Sequence, residues 1–321
     1  MPQPVHIINS FHSAVGGSEW HALSLFEILA EYTDVQLWTE YKPDPALIGK
    51  YPIHGIEPHQ GRFPKKGNFI FIGAYFGIGP WLRAASPNRV VVFFNTPDID
   101  RLKHVVEGIQ STGAPKVEVV YQAEEHRAVF PQYPGPVHSS PIDLSQFQPN
   151  RVEHNGFTVG RYSRDHDDKH HADNPELYRR LADAGCKVRI MGGMVQRELM
   201  ADDRIEIIEA GSVPPQEFLS TLDCFLYRIR ADWFEAFGRV VAESLACGVP
   251  VVAENRGGFT HLIENGRNGF LFDNNDEAFE QVMQIKSDAD LQRSMSANAR
   301  QMILDYYSPE AMAKMAEFYY Q

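Results

Sequence analysis

Short apolar runs recur along the chain and alternate with amphipathic stretches. These runs are too short for helices. They also lack the alternation of apolar and polar residues that a strand with one solvent-exposed face shows, so they predict buried strands. Apolar strands that alternate with helical segments predict an α/β fold with a parallel sheet covered on both faces. In the first half the runs are VHIINSF (5–11), VQLWTE (35–40), NFIFIGA (68–74), RVVVFFN (89–95) and KVEVVYQ (116–122). A sixth strand is predicted just before Ser139.

The same alternation starts again in the second half. Proline and polar residues crowd 134–155, which is typical of a segment between domains. We therefore predict a Rossmann-like domain over 1–151, a second one over 152–305, and a final helical segment over 306–321. The apolar runs of the second half are FTVGRYS (157–163), KVRIMGG (187–193), RIEIIEA (204–210), DCFLYRI (223–229) and PVVAEN (250–255). A further strand is predicted after Asn268-Gly269.

Composition narrows the class of protein. The chain has 321 residues and is 43% hydrophobic, enough to bury two cores. Its net charge of −12 argues against a nucleic-acid surface. Three scattered cysteines without a Cys-x-x-Cys indicate neither disulfides nor a thiolate zinc site. The opening residues do not resemble a signal peptide, and no apolar run approaches the roughly 20 residues of a membrane span. We expect a cytoplasmic protein.

One stretch, DWFEAFGRVVAESLACGVPVVAENRGG (232–258), combines several local signals. Its apolar period predicts a helix that begins near Gly238. Gly248 followed by Pro250 predicts where that helix ends. The run PVVAEN then predicts a short buried strand, and the final Arg-Gly-Gly predicts a turn.

Two glutamates flank the start of this helix. Glu235 precedes it, and Glu243 lies about one turn inside it. The N–H groups of Ala236, Phe237 and Gly238 suit a phosphate or sugar hydroxyls, and Gly238 allows a ligand to approach the backbone. Carboxylates accept hydrogen bonds from paired hydroxyls, so Glu243 suits a ribose and Glu235 a hexose. The alternative is an amphipathic helix with two solvated glutamates.

A Gly-rich turn follows the first predicted strand. The sequence HSAVGGSE leads into a helix over 18–32, with Ser18 as its candidate N-terminal cap. A strand, a Gly-rich turn and a helix present backbone amides to phosphate, here around Gly16 and Gly17. A tight turn without a ligand is the alternative.

A basic loop follows the first strand of the second half. It carries Arg161, Arg164 and Lys169, and such cations beside a cleft form a diphosphate clamp without a metal. The His and Asp residues over 165–171 also resemble a metal cluster. That stretch is a polar loop and not an amphipathic helix, so we expect a solvated turn and no metal.

Asn95 and Asp98 lie where a predicted strand ends. Functional groups of open α/β sheets gather at such ends, so both are candidate contacts for a sugar or an acceptor. A strand-end turn without a ligand is the alternative.

A small basic loop stands out in the acidic first half. Arg62, Lys65 and Lys66 surround Phe63, which suits an anionic acceptor or peripheral contact with the inner face of a membrane. A solvated loop is the alternative.

Residues 232–258 resemble the signature of retaining GT-B glycosyltransferases of family four, the group 1 glycosyl transferases. That family carries two glutamates separated by seven residues, then a small-residue run like ACGVPVVA and a Gly-Gly turn. The resemblance implies that Glu235 contacts hydroxyls of the donor sugar and that Glu243 holds the ribose of the nucleotide.

The resemblance extends to the basic loop. In the family, a Gly-Arg after the first strand of this domain and a Lys further on hold the donor diphosphate. Gly160-Arg161 and Lys169 match this pattern, but the gap between them is longer here than usual. Arg164 is therefore the alternative to Arg161.

Two features of the first half also resemble the family. Members often carry Gly-Gly-x-Glu after the first strand, lining the cleft beside the donor phosphates, and Gly16, Gly17 and Glu19 match it. Many members have a His where this chain has Asn95, so a catalytic imidazole is not expected there.

Together these features predict two Rossmann-like domains facing a cleft, with the last helix crossing back to the first. The resemblance implies transfer of a sugar from a nucleoside diphosphate sugar to an acceptor hydroxyl, with retention and without metal or cofactor. A nucleotide-sugar epimerase of the same fold and a catalytically silent nucleotide-sugar-binding protein are the alternatives. The base, the sugar and the acceptor stay open.

Overall fold

The computed structural model describes residues 3–200 and 202–321, so residues 1 and 2 of the predicted first domain lie outside the described residues. The chain forms two compact units: Met1–Pro141 with Ser308–Gln321, and Ile142–Tyr307. The first break thus falls at Pro141, before the predicted boundary near residue 152. Within the second unit, Arg300 donates to the carbonyls of Phe147 and Ala246, at 2.7 and 2.8 Å, and so fixes the segment after the break.

The first unit holds a six-stranded parallel sheet in the order β3-β2-β1-β4-β5-β6. Five of the six predicted strands are present. The strand predicted just before Ser139 was wrong, because Val137 forms only an isolated bridge with Tyr121. The short edge strand β3 was not predicted, because three residues carry too little pattern. The strands are β1 (Val5–Ile8), β2 (Val35–Thr39), β3 (Ile53–Gly55), β4 (Asn68–Ile72), β5 (Arg89–Phe93) and β6 (Val117–Val120). The helices are α1 (Gly17–Leu29), α2 (Trp81–Ala85), α3 (Ile99–Ser111) and α4 (Glu124–Ala128).

The second unit also holds a six-stranded parallel sheet, in the order β12-β11-β10-β7-β8-β9. Read from its first strand, this is the same doubly wound order as in the first unit. The strands are β7 (Phe157–Tyr162), β8 (Cys186–Met191), β9 (Ile205–Ile208), β10 (Cys224–Tyr227), β11 (Val251–Glu254) and β12 (Gly269–Phe272). The helices are α5 (Asn174–Asp183), α6 (Pro215–Leu219), α7 (Arg239–Ala246), α8 (Asn275–Ser287) and α9 (Ala289–Tyr306).

The last helix, α10 (Pro309–Tyr320), packs on the sheet of the first unit. Met315, Ala316 and Tyr319 are buried in that core, and the side chain of Asn68 donates to the Tyr319 carbonyl at 2.9 Å. Buried amides need such partners, so the strand end and the helix stabilise each other.

In each sheet the strand order reverses next to the first strand, between β1 and β4 and between β7 and β10. Open α/β sheets bind ligands beside such a reversal, outside the carboxyl ends of the strands. The loops at these ends are therefore where the functional side chains are to be sought.

Two glycines permit close packing at the carboxyl end of the second sheet. A Cβ on Gly160 would lie 2.6 Å from the Arg189 carbonyl oxygen, and a Cβ on Gly192 would overlap the Ser163 carbonyl. Gly192 also has φ +86°, a conformation that other residues adopt only with strain. Side chains at these positions would push apart the strand ends that carry the basic loop.

We expect Gly192→Ala to destabilise the second unit far more than Gly156→Ala. Both glycines have φ +86°, but a Cβ on Gly156 meets no atom within 4 Å. Gly156→Ala should therefore cost only the left-handed strain of about 1–2 kcal/mol. Gly192→Ala should add roughly 1–3 kcal/mol for steric overlap. Urea unfolding of both variants measures the difference, and equal losses would contradict the packing role of Gly192.

Candidate functional site

A partly buried ion pair lies where the strands of the second sheet end. Lys169, in the loop after β7, places Nζ 2.6 Å from Oε2 of Glu235, in the loop after β10. The hydroxyl of Tyr227 donates to the same oxygen at 2.7 Å. Throughout the described chain no group donates to the other oxygen, Oε1, so one face of this carboxylate stays open to a ligand.

The environment of Glu235 keeps it ionised. Burial by itself raises the pKa of this carboxyl. The Lys169 ammonium, the Tyr227 hydroxyl and the Arg164 guanidinium outweigh burial and hold the pKa below its ordinary value. The site therefore contains a fixed negative charge at neutral pH.

Backbone hydrogen bonds fix the loop that carries Glu235. The N–H of Gly258, in the turn after β11, donates to the Glu235 carbonyl at 2.7 Å. Arg256 donates to the carbonyls of Trp233 and Arg230. The predicted Arg-Gly-Gly turn thus positions the glutamate through its main chain.

Arg161 links the loop after β7 to the loop after β10. It is fully buried and donates to the carbonyls of Lys169 and Arg228, both at 2.6 Å, while its guanidinium lies 5.1 Å from the centre of the Tyr227 ring. This differs from the expectation that Arg161 contacts a diphosphate. Both of its terminal nitrogens donate to the backbone, and its buried Nε has no hydrogen-bond partner in the described chain. Arg161 therefore positions Lys169 and Tyr227.

Arg164 is the arginine that faces solvent. Its side chain is 51% exposed, and its guanidinium lies 3.9 Å from the buried carboxylate of Asp168. Its positive charge also helps to lower the pKa of Glu235. Of the two candidate arginines, Arg164 is the one whose position suits contact with a ligand.

Glu243 is buried inside α7 and is paired within the protein. Arg239 Nε donates to its Oε1 at 2.7 Å, and the Tyr162 hydroxyl donates to its Oε2. Burial raises the pKa of this carboxyl above its ordinary value, although both partners oppose the shift. A carboxylate offers about four acceptor positions. Two thus remain for the ribose hydroxyls inferred from the sequence.

The helix start differs from the expectation at Gly238. This residue is the N-cap of α7, with φ +75° and no side-chain cap. A Cβ here would lie 2.8 Å from Cδ1 of Phe259. The glycine is therefore needed for packing against the Phe259 ring, whereas the sequence suggested only that it lets a ligand approach the backbone. The Phe237 side chain is also buried.

The His and Asp residues of the basic loop serve the fold. His166 lies 2.9 Å from the buried Asp168, and His170 pairs with the Gly192 carbonyl at 2.7 Å. Burial and the nearby Arg161 lower the pKa of His170 to about 3. Within residues 3–200 and 202–321, no three His, Cys, Asp or Glu side chains group as metal ligands.

In the first unit, Glu19 turns back over the start of α1. It is 3% exposed, accepts from Ser10 Oγ at 3.2 Å, and its carboxylate occupies the space of a Cβ on Gly16. The N-cap is Gly16 and not Ser18 as predicted; Ser18 instead accepts a hydrogen bond from Asn9. Gly17 is the first helical residue and has open space around it.

The other candidates of the first unit have mostly local partners. Asp98 caps α3 by accepting from the Arg101 N–H at 2.9 Å. Arg62 pairs with Glu57, and Lys65 Nζ lies 4.9 Å from the centre of the Phe63 ring. None of the helices in the described part of the chain is long and apolar enough to cross a membrane.

Residues 148–302 match the family model of the glycosyl transferases group 1. This segment contains the ion pair, both glutamates and the basic loop. The matched segment, which is just under half of the chain, is similar to that family.

A curated relative supports this assignment over a shorter range. N-acetyl-alpha-D-glucosaminyl L-malate synthase of Bacillus anthracis is 32% identical over 88 residues, covering 27% of this chain and 23% of the relative. The chain thus matches about a quarter of that relative's length.

Solved structures resemble nearly the whole chain in fold. HepE of Anabaena, in complex with UDP and glucose, has a TM-score of 0.72 at 15% identity and covers 98% of this chain and 99% of its own. Sucrose-phosphate synthase of Thermosynechococcus elongatus has a TM-score of 0.75 at 16% identity, covering 99% and 98%. These likenesses confirm the predicted GT-B class of fold.

The group 1 segment contains site residues that sequence reasoning missed. Tyr227 holds Glu235, and Tyr162 with Arg239 holds Glu243. Each tyrosine ends a predicted apolar strand, where an aromatic ring reads as core. The sequence signal that could have identified them is a tyrosine hydroxyl at the carboxyl end of a buried strand, because a buried hydroxyl needs a hydrogen-bond partner.

We expect the pair of Lys169 and Glu235 to add stability that disappears in acid. The pKa of Glu235 is lowered in the folded protein. The stability that the ion pair contributes is therefore complete above the ordinary pKa of 4.5 and is lost as pH falls through the folded pKa. Glu235→Gln should lower the free energy of unfolding at pH 7 by about 1.5–3 kcal/mol and by progressively less below pH 4.5.

The control is Glu206→Gln, which breaks the more exposed pair with Arg189. It should cost under about 1 kcal/mol. Denaturant titrations at several pH values test both variants. A loss for Glu235→Gln that stays constant into acid would contradict the ionised state of Glu235.

Proposed function

We propose that this protein transfers a sugar from a nucleoside diphosphate sugar to an acceptor hydroxyl, with retention at the anomeric carbon. The observation that carries the proposal is Glu235, an ionised carboxylate with one oxygen held by Lys169 and Tyr227 and the other open. It lies within a group 1 glycosyltransferase segment. An open carboxylate oxygen accepts from a hydroxyl of the donor sugar.

Retention needs charge balance more than a protein nucleophile. As the glycosidic bond breaks, positive charge develops on the sugar and negative charge on the departing diphosphate. The fixed charge of Glu235 stabilises the first. Arg164, Lys169 and the start of α7 stabilise the second, since preorganised donors are worth most where charge develops. The departing diphosphate then takes the proton of the acceptor hydroxyl.

Lys169 serves both partners. An ammonium has three donors, and Glu235 uses one of them at 2.6 Å. The others are left for a phosphate oxygen, so binding of the diphosphate and orientation of Glu235 are coupled. Neutralisation by fixed cations makes a divalent metal unnecessary in this mechanism.

The nucleotide is held through Glu243 in this proposal. Its remaining lone pairs accept from two ribose hydroxyls while Arg239 and Tyr162 keep the carboxylate in place. The structure of HepE with UDP and glucose makes a uridine nucleotide the first donor to test. Peripheral membrane contact through Lys65 and Lys66 remains a proposal for the acceptor side.

Two alternatives are separated by their products. An epimerase of the same fold releases nucleotide or an altered sugar without an acceptor. A silent binding protein binds nucleotide and turns over nothing. The pairing of Glu235 with Lys169 favours the transferase, because an ionised carboxylate with a specific charge partner and a lowered pKa is typical of catalytic sites.

We expect the two glutamates to affect different quantities. Glu235→Gln should lower kcat by on the order of 100-fold and leave the affinity for free nucleoside diphosphate within about threefold. Glu243→Gln should weaken nucleotide affinity by about tenfold or more, since a charged acceptor is lost. Calorimetric titration of UDP and GDP, with turnover of their sugars, measures both.

The purified wild type is the reference for this comparison. If no nucleoside diphosphate raises its melting temperature and no donor is turned over, the proposed function is wrong. If both variants change the same quantity, the separate roles of the two glutamates are wrong.

We expect transfer to survive EDTA and to depend on Arg164. Arg164→Ala should lower kcat by on the order of 100-fold without changing the melting temperature. Arg161→Ala should lower the melting temperature, because it leaves two buried carbonyls without donors. Arg180→Ala, which breaks a pair with Asp276, is the matched control and should be silent.

Loss of activity in EDTA with recovery in Mg²⁺ or Mn²⁺ would overturn the mechanism without metal. Normal turnover in Arg164→Ala would remove that residue from the diphosphate site.

A further inference from the structure

An aromatic ring is held open at the carboxyl end of the first sheet. Tyr75, in the loop after β4, is 60% exposed. Arg101, on α3, donates from Nε to the Ala74 carbonyl at 2.8 Å, and its guanidinium lies 5.1 Å from the centre of the Tyr75 ring. The ring is thus supported on one side and leaves its other face to solvent.

The surrounding loop is fixed on both sides of Tyr75. The next residue, Phe76, is buried and stacks on Phe71 with ring centres 4.6 Å apart. Further on, the Glu40 carboxylate packs against Gly77 and occupies the space that a Cβ would take there. The same carboxylate accepts a hydrogen bond from the Trp81 indole. Tyr75 is therefore exposed between residues that are held by packing, and an exposed aromatic residue in such a position suits recognition.

Its position is the ligand-binding edge of the sheet. A Cβ on Gly73, two residues before Tyr75, would lie 2.9 Å from Ser18 Oγ and 3.7 Å from Asn95 Oδ1. The end of β4, the start of α1 and the end of β5 therefore meet at this point. It lies beside the reversal of strand order between β1 and β4, where open sheets bind ligands.

Arg101 brings a positive charge to this edge. In the part of the chain that the structure describes, its guanidinium lies within 4.0 Å of no carboxylate, and only Nε has a protein acceptor. Asp98 is close in sequence, but its carboxylate caps α3 by accepting from the Arg101 backbone N–H. The terminal nitrogens of Arg101 are therefore free to form the two parallel hydrogen bonds that suit an anion.

We propose that Tyr75 and Arg101 bind the acceptor, and that this acceptor is a sugar bearing an anionic group, a carboxylate or a phosphate. The apolar face of the sugar ring packs on the open face of Tyr75, Arg101 pairs with the anion, and the Asn95 amide is within reach of a hydroxyl. This inference rests on the proposed transferase function, because it names the class of its acceptor.

Three probes separate ring, charge and type of anion: methyl β-D-glucoside, methyl β-D-glucuronide and glucose 6-phosphate. Each is titrated into the 321-residue chain by saturation-transfer NMR, with UDP and GDP titrated in parallel. The wild type should bind at least one anionic probe about fivefold more tightly than the neutral glucoside. The stronger of the two identifies the anion.

Each variant removes one contact. Arg101→Gln should abolish the preference for the anionic probes. Tyr75→Ala should weaken all three by about fivefold to tenfold, and Tyr75→Phe should bind as the wild type does. Nucleotide affinity should stay unchanged in every variant.

The controls are matched residues elsewhere in the first unit. Tyr32 is an exposed tyrosine beyond the end of α1, and Arg83 donates to the carbonyls of Ser111 and Thr112. Tyr32→Ala and Arg83→Gln should leave binding of all probes unchanged.

Several outcomes would overturn the inference. It fails if no probe binds, if Arg101→Gln keeps the preference for anions, or if the control variants weaken binding as much as Tyr75→Ala. Failure of the transferase function is visible separately. If the wild type binds no nucleoside diphosphate while the probes and variants behave as expected, the sugar site stands and the proposed reaction does not.

Discussion

A buried cation holds together the two loops on which the candidate site depends. Removing a guanidinium from water costs several kcal/mol unless hydrogen bonds compensate for the lost solvent. For Arg161 the compensation comes from two carbonyls at 2.6 Å and from the face of Tyr227. Those carbonyls belong to Lys169 and Arg228, which lie in the loops after β7 and β10. The register of the two loops is therefore set before any ligand binds.

Arg161 and Arg164 are equivalent candidates in the sequence, but this constraint gives them different roles. Arg161 follows a glycine in a strand, so its side chain leaves the sheet where the interior is packed, and it is fully buried. Arg164 lies in the loop beyond the strand end, half exposed, and it lowers the pKa of Glu235 from there. The longer gap before Lys169 gives the loop room for this second arginine. Arg161 thus supports the two loops, and Arg164 is the arginine left to contact a ligand.

Much of the fold follows from the chain, because its apolar runs are strong and regularly spaced. Eleven predicted strands are present, and β3, which was not predicted, is too short to carry a pattern. The site was harder to predict, since its arrangement depends on partners distant in sequence. Local pattern could not show that Phe259 fills the space beside Gly238 or that Glu19 turns back over Gly16. A glycine that admits a ligand and one that admits a neighbouring side chain look the same in sequence.

The two glutamates of the motif show why spacing alone does not define chemistry. Glu235 shares a single oxygen with Lys169 and Tyr227, and its pKa is lowered. Glu243 has a partner on each oxygen, and its pKa is raised. One carboxylate is thus a fixed charge with an open oxygen, and the other is a buried acceptor oriented by its own pair. In the proposed reaction these are the properties needed beside a developing positive centre and beside neutral ribose hydroxyls, respectively. The difference arises from Lys169 in one case and from Arg239 and Tyr162 in the other, so these partners give the two glutamates distinct functions.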